Sequence, residues 1–518
     1  MSFKSSLSKL IRSSLLLLSL TSLLLAEISC TSSREREFRQ YIEEGERLAK
    51  IYCTTCHMES PPGLLDKETW LYGVLPQMGP RLGMHSFHSL SYKKINPSLV
   101  PKMPAMTQEQ WENIVEYFYD QSPDSLGPQE YHRIPSLDDE HFKLKPFTDE
   151  LTESSILSMV KIDAINNLVY VSDVATNSLN LLDFQGSVLE KIRITSPATS
   201  INLKDQDFDL TLSGILHPNN EDKGEIVRFV RTTKQTSFSI IDSLFRPVSS
   251  IEYDFNYDGK LDYLICEYGN DVGQLALYVK NTKEGYMQRM IEKISGAISI
   301  KIYDFNKDGY MDIIALFAQG DERVNIYYND GQGNFLGNRK LAARFPAVYG
   351  SMHMDIFDFN KDGFMDILYV NGDNFDYSKI HKPYHGVRIL ENNGQDEFEE
   401  KYFFPIYGAG NAVIQDFNLD GKTDIVVAAN FADMQNNPER GIIFLKNIDQ
   451  YDYEPFSYEL ASVNQWNTMD MADLDGDGDK DILIGAMNLE KILVNQGNKG
   501  DTDGEVIPSI LIMENQTR

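Results

Sequence analysis

Cysteine and tryptophan are scarce in this sequence, and positive charge is in deficit. The 518 residues include four cysteines and three tryptophans. So few cysteines in so long a chain make a disulfide framework improbable. Lys and Arg total 48 against 77 Asp and Glu, a net charge of -29. Since binding to nucleic acid needs a basic surface, this charge argues against such a partner.

A long hydrophobic run is also missing from the first 30 residues. The apolar stretch 15–26 is short, whereas a membrane-spanning helix needs roughly 20 residues. It is preceded by the basic residues Lys4, Lys9 and Arg12. A short apolar run behind a positive segment is typical of a signal peptide, which we place at residues 1–30.

Cys30 stands at the end of this segment, as in the lipobox of bacterial lipoproteins, where the cysteine becomes the lipidated first residue. Glu27 occupies the position where a lipobox usually has Leu. Lipidation of Cys30 and ordinary cleavage after Ala26 therefore stay open. Both predict export, to the periplasm or as an outer-membrane or cell-surface lipoprotein of a Gram-negative-type bacterium. Contact with a membrane is expected only through the lipid anchor.

Residues 53–57 read Cys-Thr-Thr-Cys-His. Attachment of c-type haem needs two thiols and an adjacent axial imidazole, which this motif offers. Gly45 precedes it within a helical-looking stretch, and Met103-Pro104 follows it. Next comes a capping box at Thr107–Gln110, followed by an amphipathic pattern at helical spacing. The apolar residues of that pattern are Trp111, Ile114, Val115 and Phe118.

This arrangement resembles class I cytochromes c. The resemblance implies an all-α cytochrome c domain over residues 34–122, with one haem attached covalently to Cys53 and Cys56. It implies His57 as the proximal iron ligand and Met103 as the distal one, with Met106 the alternative. Weaker candidates for the distal ligand are Met78, Met84, His85 and His88. His/Met ligation fills both axial positions of the iron, which suits electron transfer.

Residues 123–150 read as a linker, and beyond them the chain repeats itself. Five segments share the form D-x-[DN]-x-D-G-x-x-D, at intervals of 50, 54, 58 and 57 residues. Oxygen side chains at positions 1, 3, 5 and 9, with Gly at the turn, are the donor set that Ca²⁺ prefers. We predict about five Ca²⁺ ions, held by Asp254, Asn256, Asp258, Asp262, Asp304, Asn306, Asp308, Asp312, Asp358, Asn360, Asp362, Asp366, Asp416, Asn418, Asp420, Asp424, Asp473, Asp475, Asp477 and Asp481.

The residues around these loops exclude an EF-hand, because none has the bidentate Glu at position 12. Position 12 is occupied by Ile265, Ala315, Tyr369, Val427 and Ile484. The residues after position 9 read as buried strands. Strand, calcium loop and strand in this order resemble FG-GAP (VCBS-type) repeats of integrin-like propellers.

The number of hairpins predicts the number of blades. Hairpins begin near Ser178, Glu225, Gln274, Arg323, Gly386, Gly441 and Lys491. Seven hairpins predict a seven-bladed β-propeller over residues 151–518. Residues 155–194 lack an Asp loop, and 201–215 keep only a degenerate one at Asp205, Asp207 and Asp209, so we expect no calcium in either. The predicted fold class is multidomain, an all-α cytochrome c domain followed by an all-β propeller.

Two functions remain open. In the first, the chain is a haem-c electron-transfer protein with a redox partner in the envelope, and its propeller docks to a protein or a polysaccharide. The alternative is an oxidoreductase with a substrate site in the propeller and the cytochrome as electron acceptor. Quinone-dependent propellers carry a Trp-rich motif in each blade, whereas only Trp466 falls in this one. We identify no catalytic constellation: His353, His381 and His385 read as structural, and Cys266 as a buried core thiol.

Overall fold

The fold is described from a computed structural model. The described residues are 35–84, 96, 99–138, 140–151, 156–231, 237–281, 285–373, 380–487 and 507–518. The predicted signal peptide, Cys30, His85 and His88 lie outside them. The chain divides into two compact units, one of residues 1–55 and 61–125 and the other of residues 56–60 and 126–518. Each unit is taken by itself below.

The described residues of the second unit form 29 β-strands, and two short strands come first. These are β1 (Ser136–Leu137) and β2 (Phe142–Pro146). Blade 1 consists of β3 (Leu157–Asp163), β4 (Leu168–Asp173), β5 (Ser178–Asp183) and β6 (Val188–Arg193). Blade 2 consists of β7 (Ala198–Leu203), β8 (Asp207–Leu212), β9 (Gly224–Val230) and β10 (Ser237–Leu244). Blade 3 consists of β11 (Pro247–Tyr253), β12 (Asp262–Glu267), β13 (Gln274–Lys280) and β14 (Tyr286–Glu292).

The remaining blades follow in chain order. Blade 4 consists of β15 (Ala297–Tyr303), β16 (Asp312–Phe317), β17 (Arg323–Tyr327) and β18 (Arg339–Arg344). Blade 5 consists of β19 (Ser351–Phe357), β20 (Asp366–Asn371), β21 (Gly386–Asn392) and β22 (Phe398–Pro405). Blade 6 contains β23 (Ala409–Gln415), β24 (Asp424–Ala429), β25 (Ile442–Asp449) and β26 (Asp452–Ser457). Blade 7 contains β27 (Trp466–Ala472), β28 (Asp481–Ala486) and β29 (Ile510–Asn515).

These sheets form a seven-bladed β-propeller, so the predicted architecture of this region is confirmed. The first strands of successive blades neighbour one another and form the inner wall. Seven buried hydrophobic clusters each draw on two successive blades, and one of them joins blade 7 to blade 1. Since the second strand of a blade is covered on both faces, it reads as a continuous apolar run. Strand β16 (Asp-Ile-Ile-Ala-Leu-Phe), for example, is buried at every position.

The ring is closed by strands from the two ends of the described unit. Blade 7 has the strand order β2-β29-β28-β27, so its outermost strand comes from the beginning of the unit. β2 pairs antiparallel with β29, from Phe142 opposite Asn515 to Pro146 opposite Leu511. Just before it, β1 adds to the outer edge of blade 6 by parallel pairing with β26. Part of the segment that reads as a linker is therefore built into the sheets.

The first unit contains three α-helical stretches among its described residues. They are α1 (35–52), α2 (Leu75–Arg81) and α3 (Gln108–Gln121). Between them lie the 3-10 turns Cys53–Thr55 and Pro62–Leu64 and the π-helix Thr69–Val74. Two further 3-10 turns, Pro438–Gly441 and Glu459–Val463, belong to the propeller. No helix in the described part of the chain is long and apolar enough to span a membrane.

The predicted combination of an all-α cytochrome c domain with a propeller is wrong in its first part. The helices are few, and no separate all-α cytochrome domain is evident among the described residues. Proline contributes to their shortness, because it cannot donate the backbone hydrogen bond that continues a helix. The seven-residue α2 contains both Pro76 and Pro80. The fold of the chain is that of the propeller, preceded by a small helical unit.

Two local features of the helical unit follow from its sequence. Thr107 and Gln110 form the capping box at the start of α3, with hydrogen bonds of 3.2 and 2.9 Å. Gly45 on α1 lies against α3, where an added Cβ would come within 2.2 Å of the Asn113 carbonyl oxygen. A larger residue cannot fit there without moving a helix, so glycine is required for this close approach.

Candidate metal sites

The five Asp-rich loops occupy the same place in five successive blades. Each joins the innermost strand to the second strand in blades 3 to 7, following β11, β15, β19, β23 and β27. The repeat therefore places all five predicted donor sets at one end of the propeller. Blades 1 and 2 have shorter connections at this place, 164–167 and 204–206.

Backbone hydrogen bonds fold each loop around the carboxylate at its first position. In the first loop, Asp258 N–H and Gly259 N–H donate to the two Asp254 oxygens at 3.1 and 2.8 Å. Asp258 N–H also donates to Asn256 Oδ1 at 3.0 Å. The same three bonds recur in the second, third and fourth loops. In these four loops, the backbone at position 5 is thereby held against the side chains at positions 1 and 3.

The aspartates at position 9 begin the second strands and are buried. Asp262, Asp312, Asp366 and Asp424 have no exposed surface, and Asp481 is 1% exposed. Burial, only partly offset by backbone hydrogen bonds, raises the pKa of Asp312, Asp366 and Asp424 to about 6. It raises the pKa of Asp262 and Asp481 as well. Buried carboxylates of this kind need compensation by a positive charge or by hydrogen bonds.

The donor chemistry of the loops fits Ca²⁺. In the fifth loop, carboxylate oxygens of Asp473, Asp475 and Asp481 lie within 4.8 Å of one another. In the first loop, Asp262 Oδ2 is buried without a hydrogen-bond partner. The ammonium group of Lys260 lies 3.1 Å from Asp258 Oδ2, so one oxygen of that loop is already paired. Hard oxygen donors crowded on a short loop are what Ca²⁺ prefers.

The degenerate segment in blade 2 uses the last of its three aspartates differently. Asp209 lies in β8, where Arg228 Nε and Lys204 Nζ approach it at 2.7 and 2.8 Å. Tyr263 Oη also donates to this carboxylate. Two cations already compensate the charge of Asp209.

The sequence analysis missed an asparagine that supports each loop of the last four blades. These are Asn329, Asn392, Asn447 and Asn515, which lie within two residues of the end of the third strand. Their backbone N–H groups donate to the position-9 aspartate at 2.8 to 3.0 Å. The side chain of Asn329 also donates to Phe255 O of the preceding blade, and Asn515 donates likewise to Phe417 O. The signal in the sequence is an Asn at the end of each third strand.

The Cys-Thr-Thr-Cys-His motif follows α1. Cys53 starts a short 3-10 turn and is half-buried, and Cys56 is exposed. The Nδ1 atom of the half-buried His57 lies 2.7 Å from the Met58 carbonyl oxygen. Since a carbonyl only accepts, Nδ1 carries the proton, and Nε2 keeps the lone pair that a metal needs. Metal-ligating histidines are commonly oriented in this way. Nε2 of His57 is therefore the ring nitrogen available to a metal.

The two methionines considered for the distal position differ in exposure. Met103 is 81% exposed, whereas Met106 is 7% exposed and belongs to the core of the helical unit. Met84 is buried too. The side chain of Met103 is thus not part of the packed core of the helical unit.

The propeller histidines give no support to a catalytic site. Burial, together with the charge of Lys301, lowers the pKa of His353 to about 4. Burial also holds the pKa of His385 well below its ordinary value. The ring of His381 stacks on Tyr407 with centroids 4.7 Å apart. Asp355 pairs with Lys301, and Asp373 pairs with Lys382. Cys266 is fully buried in the core.

Comparisons with known proteins agree with the repeat. The sequence model of the FG-GAP-like repeat family matches residues 254–315, 304–369 and 416–484, a span that contains all five loops. The chain thus carries FG-GAP repeats on a seven-bladed β-propeller. No curated protein matches the sequence significantly.

Solved structures of low sequence identity match part of this chain. One is described as a streptogramin B lyase structure, at 12% identity and TM-score 0.43, covering 72% of this chain and 98% of the other. Another is the Pan2 WD40 domain of Neurospora crassa, at 10% identity and TM-score 0.43, covering 74% and 98%. The N-terminal domain of Nup159 has 10% identity and TM-score 0.42, covering 75% and 99%. Similarity at this level supports no conclusion about function.

Proposed function

We propose that this chain is a haem-c electron-transfer protein of the cell envelope whose calcium-stabilised propeller is a binding and docking module. Cys53 and Cys56 would hold the haem by thioether bonds and His57 would bind its iron. Bound haem supplies a one-electron redox centre. Met103 would complete the axial pair, with Met106 as the alternative. The observation that carries the proposal is the His57 ring, whose Nδ1 is hydrogen-bonded to Met58 O and whose Nε2 is left for a metal.

The propeller supports the second half of the proposal. Five loops with Ca²⁺-type donors lie at one end of a ring of seven packed blades. A rigid ring with loops at its ends suits recognition of a partner, either a redox protein or a polysaccharide. The net charge of -29 favours a partner with a positive surface. Residues 1–30 support export, and Cys30 would provide a lipid anchor.

The haem assignment is tested by producing the protein in a host that attaches c-type haem. After denaturation, we expect haem to remain with the polypeptide on a stained gel. The variant Cys53→Ala/Cys56→Ala should lose this stain, while Cys266→Ala, which removes a cysteine from the propeller core, should retain it. Absence of haem from the wild-type chain would contradict the assignment and leave the two cysteines as thiols or a metal site.

The axial ligand is tested by the oxidised absorption spectrum. Methionine ligation to iron gives a weak far-red charge-transfer band, which Met103→Ala should abolish. Loss of the band in Met106→Ala and not in Met103→Ala would assign the ligand to Met106. An open axial position in the wild-type protein would favour the oxidoreductase alternative.

The calcium assignment has a separate readout. Removing Ca²⁺ with a chelator should lower the unfolding temperature, because carboxylates gathered in five loops would then repel one another. Adding Ca²⁺ back should restore it, and Mg²⁺ at equal concentration should restore it less. An unfolding temperature unaffected by chelation would contradict the calcium assignment without bearing on the haem.

A further inference from the structure

Position 4 of the Asp-rich loops has an unusual backbone conformation. Its φ angle is 56° at Tyr257, 58° at Lys307, 61° at Lys361 and 57° at Leu419. Left-handed backbone is uncommon for residues other than glycine, and here it recurs at one loop position in four successive blades. The fifth loop has Gly476 at this place, with φ 84°. In three of the loops, the side chain at position 4 reaches the next loop of the ring.

The first and second loops are joined by several interactions of one side chain, Tyr257. Tyr257 Oη accepts a hydrogen bond from Met311 N–H at 2.9 Å and lies 3.5 Å from the Gly309 carbonyl oxygen. The rings of Tyr257 and Tyr310 pack edge to face with centroids 5.2 Å apart. One side chain of the first loop thus touches positions 6, 7 and 8 of the second.

Lysines make the equivalent contacts in the next two loops. Lys307 of the second loop places its ammonium group 4.2 Å from the ring centre of Phe364, position 7 of the third. Lys361 of the third loop donates a hydrogen bond to the carbonyl oxygen of Gly421, position 6 of the fourth. The first four loops are therefore linked in series, each through position 4 to positions 6 to 8 of its neighbour.

The position of these contacts matters for metal binding. In calcium loops with the same early donor positions, the carbonyl of position 7 is also a ligand. Met311 N–H belongs to the same peptide unit as the Tyr310 carbonyl at position 7 of the second loop. By fixing that peptide unit, Tyr257 orients a candidate ligand of a neighbouring loop. Groups that hydrogen-bond to a metal ligand without contacting the metal themselves change the affinity of the site for the metal.

We propose that Ca²⁺ binding at successive loops of this propeller is coupled, with Tyr257 as the positioning residue between the first and second loops and Lys361 between the third and fourth. Ordering one loop holds its position-4 side chain, which then pre-orders the next loop. Such coupling is reciprocal, so each loop changes the affinity of its neighbour by the same factor. The proposal rests on the calcium assignment made above.

The test counts Ca²⁺ ions bound to the full chain by native mass spectrometry during a titration, with calorimetry for affinities. Tyr257→Phe removes only the hydroxyl, so the number of ions bound at saturation should not change. The affinity of the coupled ions should fall by about threefold to tenfold, the effect of losing one hydrogen bond. Lys361→Met should produce a similar loss. Tyr72→Phe, at an exposed tyrosine of the helical unit, is the matched control and should leave the titration unchanged.

A second variant distinguishes coupling between loops from a local loss of affinity at a single loop. Asp304→Asn/Asp308→Asn disables the second loop, so it should remove one ion and weaken ion binding at the neighbouring first and third loops. In that background, Tyr257→Phe should have no further effect. Titrations of Tyr257→Phe and wild type that superimpose would overturn the coupling and leave the calcium assignment intact. A wild-type protein that binds no Ca²⁺ would overturn the calcium assignment itself, and the coupling with it.

Discussion

Lys161 on the innermost strand of blade 1 and Asp470 on that of blade 7 pair at 2.9 Å, across the place where the ring closes. The same carboxylate accepts the backbone N–H of Ile162 at 2.6 Å. Equivalent lysine and carboxylate pairs join blade 2 to blade 3 and blade 4 to blade 5. They are Lys204 with Glu252 at 2.7 Å and Lys301 with Asp355 at 2.8 Å.

The two partners at the closure should contribute unequally to stability. Asp470→Ala removes an ion pair and also a charge-assisted bond to a backbone N–H, so we expect a loss of about 2 kcal/mol in the free energy of unfolding. Lys161→Met removes only a half-exposed ammonium group, and the loss should stay below about 1 kcal/mol. Urea unfolding of both variants checks the order, and equal losses would contradict it.

Closure by β2 predicts that its buried side chain is essential to the propeller. Phe142 is 2% exposed and packs in the cluster between blades 6 and 7. Phe142→Ala should lower the free energy of unfolding by about 3 kcal/mol or more, because it leaves a cavity. Leu137→Ala on β1, where the side chain is 56% exposed, is the control and should cost less than about 0.5 kcal/mol. Thermal unfolding gives both values, and similar effects would argue against closure by β2.

The close approach of α1 to α3 predicts that substitution of two glycines of the helical unit will affect its stability very differently. At Gly45 an added methyl group would come within 2.2 Å of Asn113 O, whereas at Gly63 nothing lies within 4 Å. Gly45→Ala should destabilise the helical unit by about 2 kcal/mol or more, and Gly63→Ala should be nearly neutral. Limited proteolysis of residues 35–121 measures both, and equal resistance would contradict the close approach.

One pH-dependent contribution comes from Asp138, between β1 and β2. Burial opposes its charge, but hydrogen bonds from the His141 and Tyr458 side chains and from backbone N–H groups lower its pKa from 3.8 to about 2. Because the folded pKa lies below the unfolded one, the carboxylate stabilises the protein fully above pH about 4, and this effect is lost as the pH falls toward about 2.

The corresponding test compares wild type with Asp138→Asn. The difference in the free energy of unfolding should be constant near neutral pH and should shrink between pH about 4 and about 2. Urea unfolding at a series of pH values provides the measurement. A difference that stays flat through this window would contradict the role given to Asp138.

Local sequence patterns predicted most of the propeller. Six of the predicted hairpins, near Ser178, Glu225, Gln274, Arg323, Gly386 and Gly441, begin within one residue of the third strand of their blade. These predictions succeeded because a strand covered on both faces leaves a continuous apolar run flanked by turns. The predicted last hairpin near Lys491 lies outside the described residues, and the third strand of blade 7 begins at Ile510.

Long-range pairing could not be predicted in the same way. β2 is a five-residue strand whose partner β29 lies more than 360 residues further along the chain, so nothing near Phe142 indicates its place. The contacts of Tyr257 and Lys361 could not be predicted for the same reason. Each depends on a left-handed backbone conformation and on residues of the next blade. In the helical unit, short motifs located the capping box and Gly45 correctly. They did not predict the fold, because the fold depends on how the helices pack and short motifs do not encode that packing.

The order of synthesis has a consequence for the closing strand. β2 leaves the ribosome before any blade exists, and its partner β29 appears last. At ordinary rates of synthesis, it stays without that partner for roughly 20 to 70 s. Through this interval Phe142 and Leu144 form an unpaired edge, open to other chains as well as to their own. The ring can therefore close only after β29 has been synthesised. A product truncated before β29 would keep β2 unpaired and exposed to other chains.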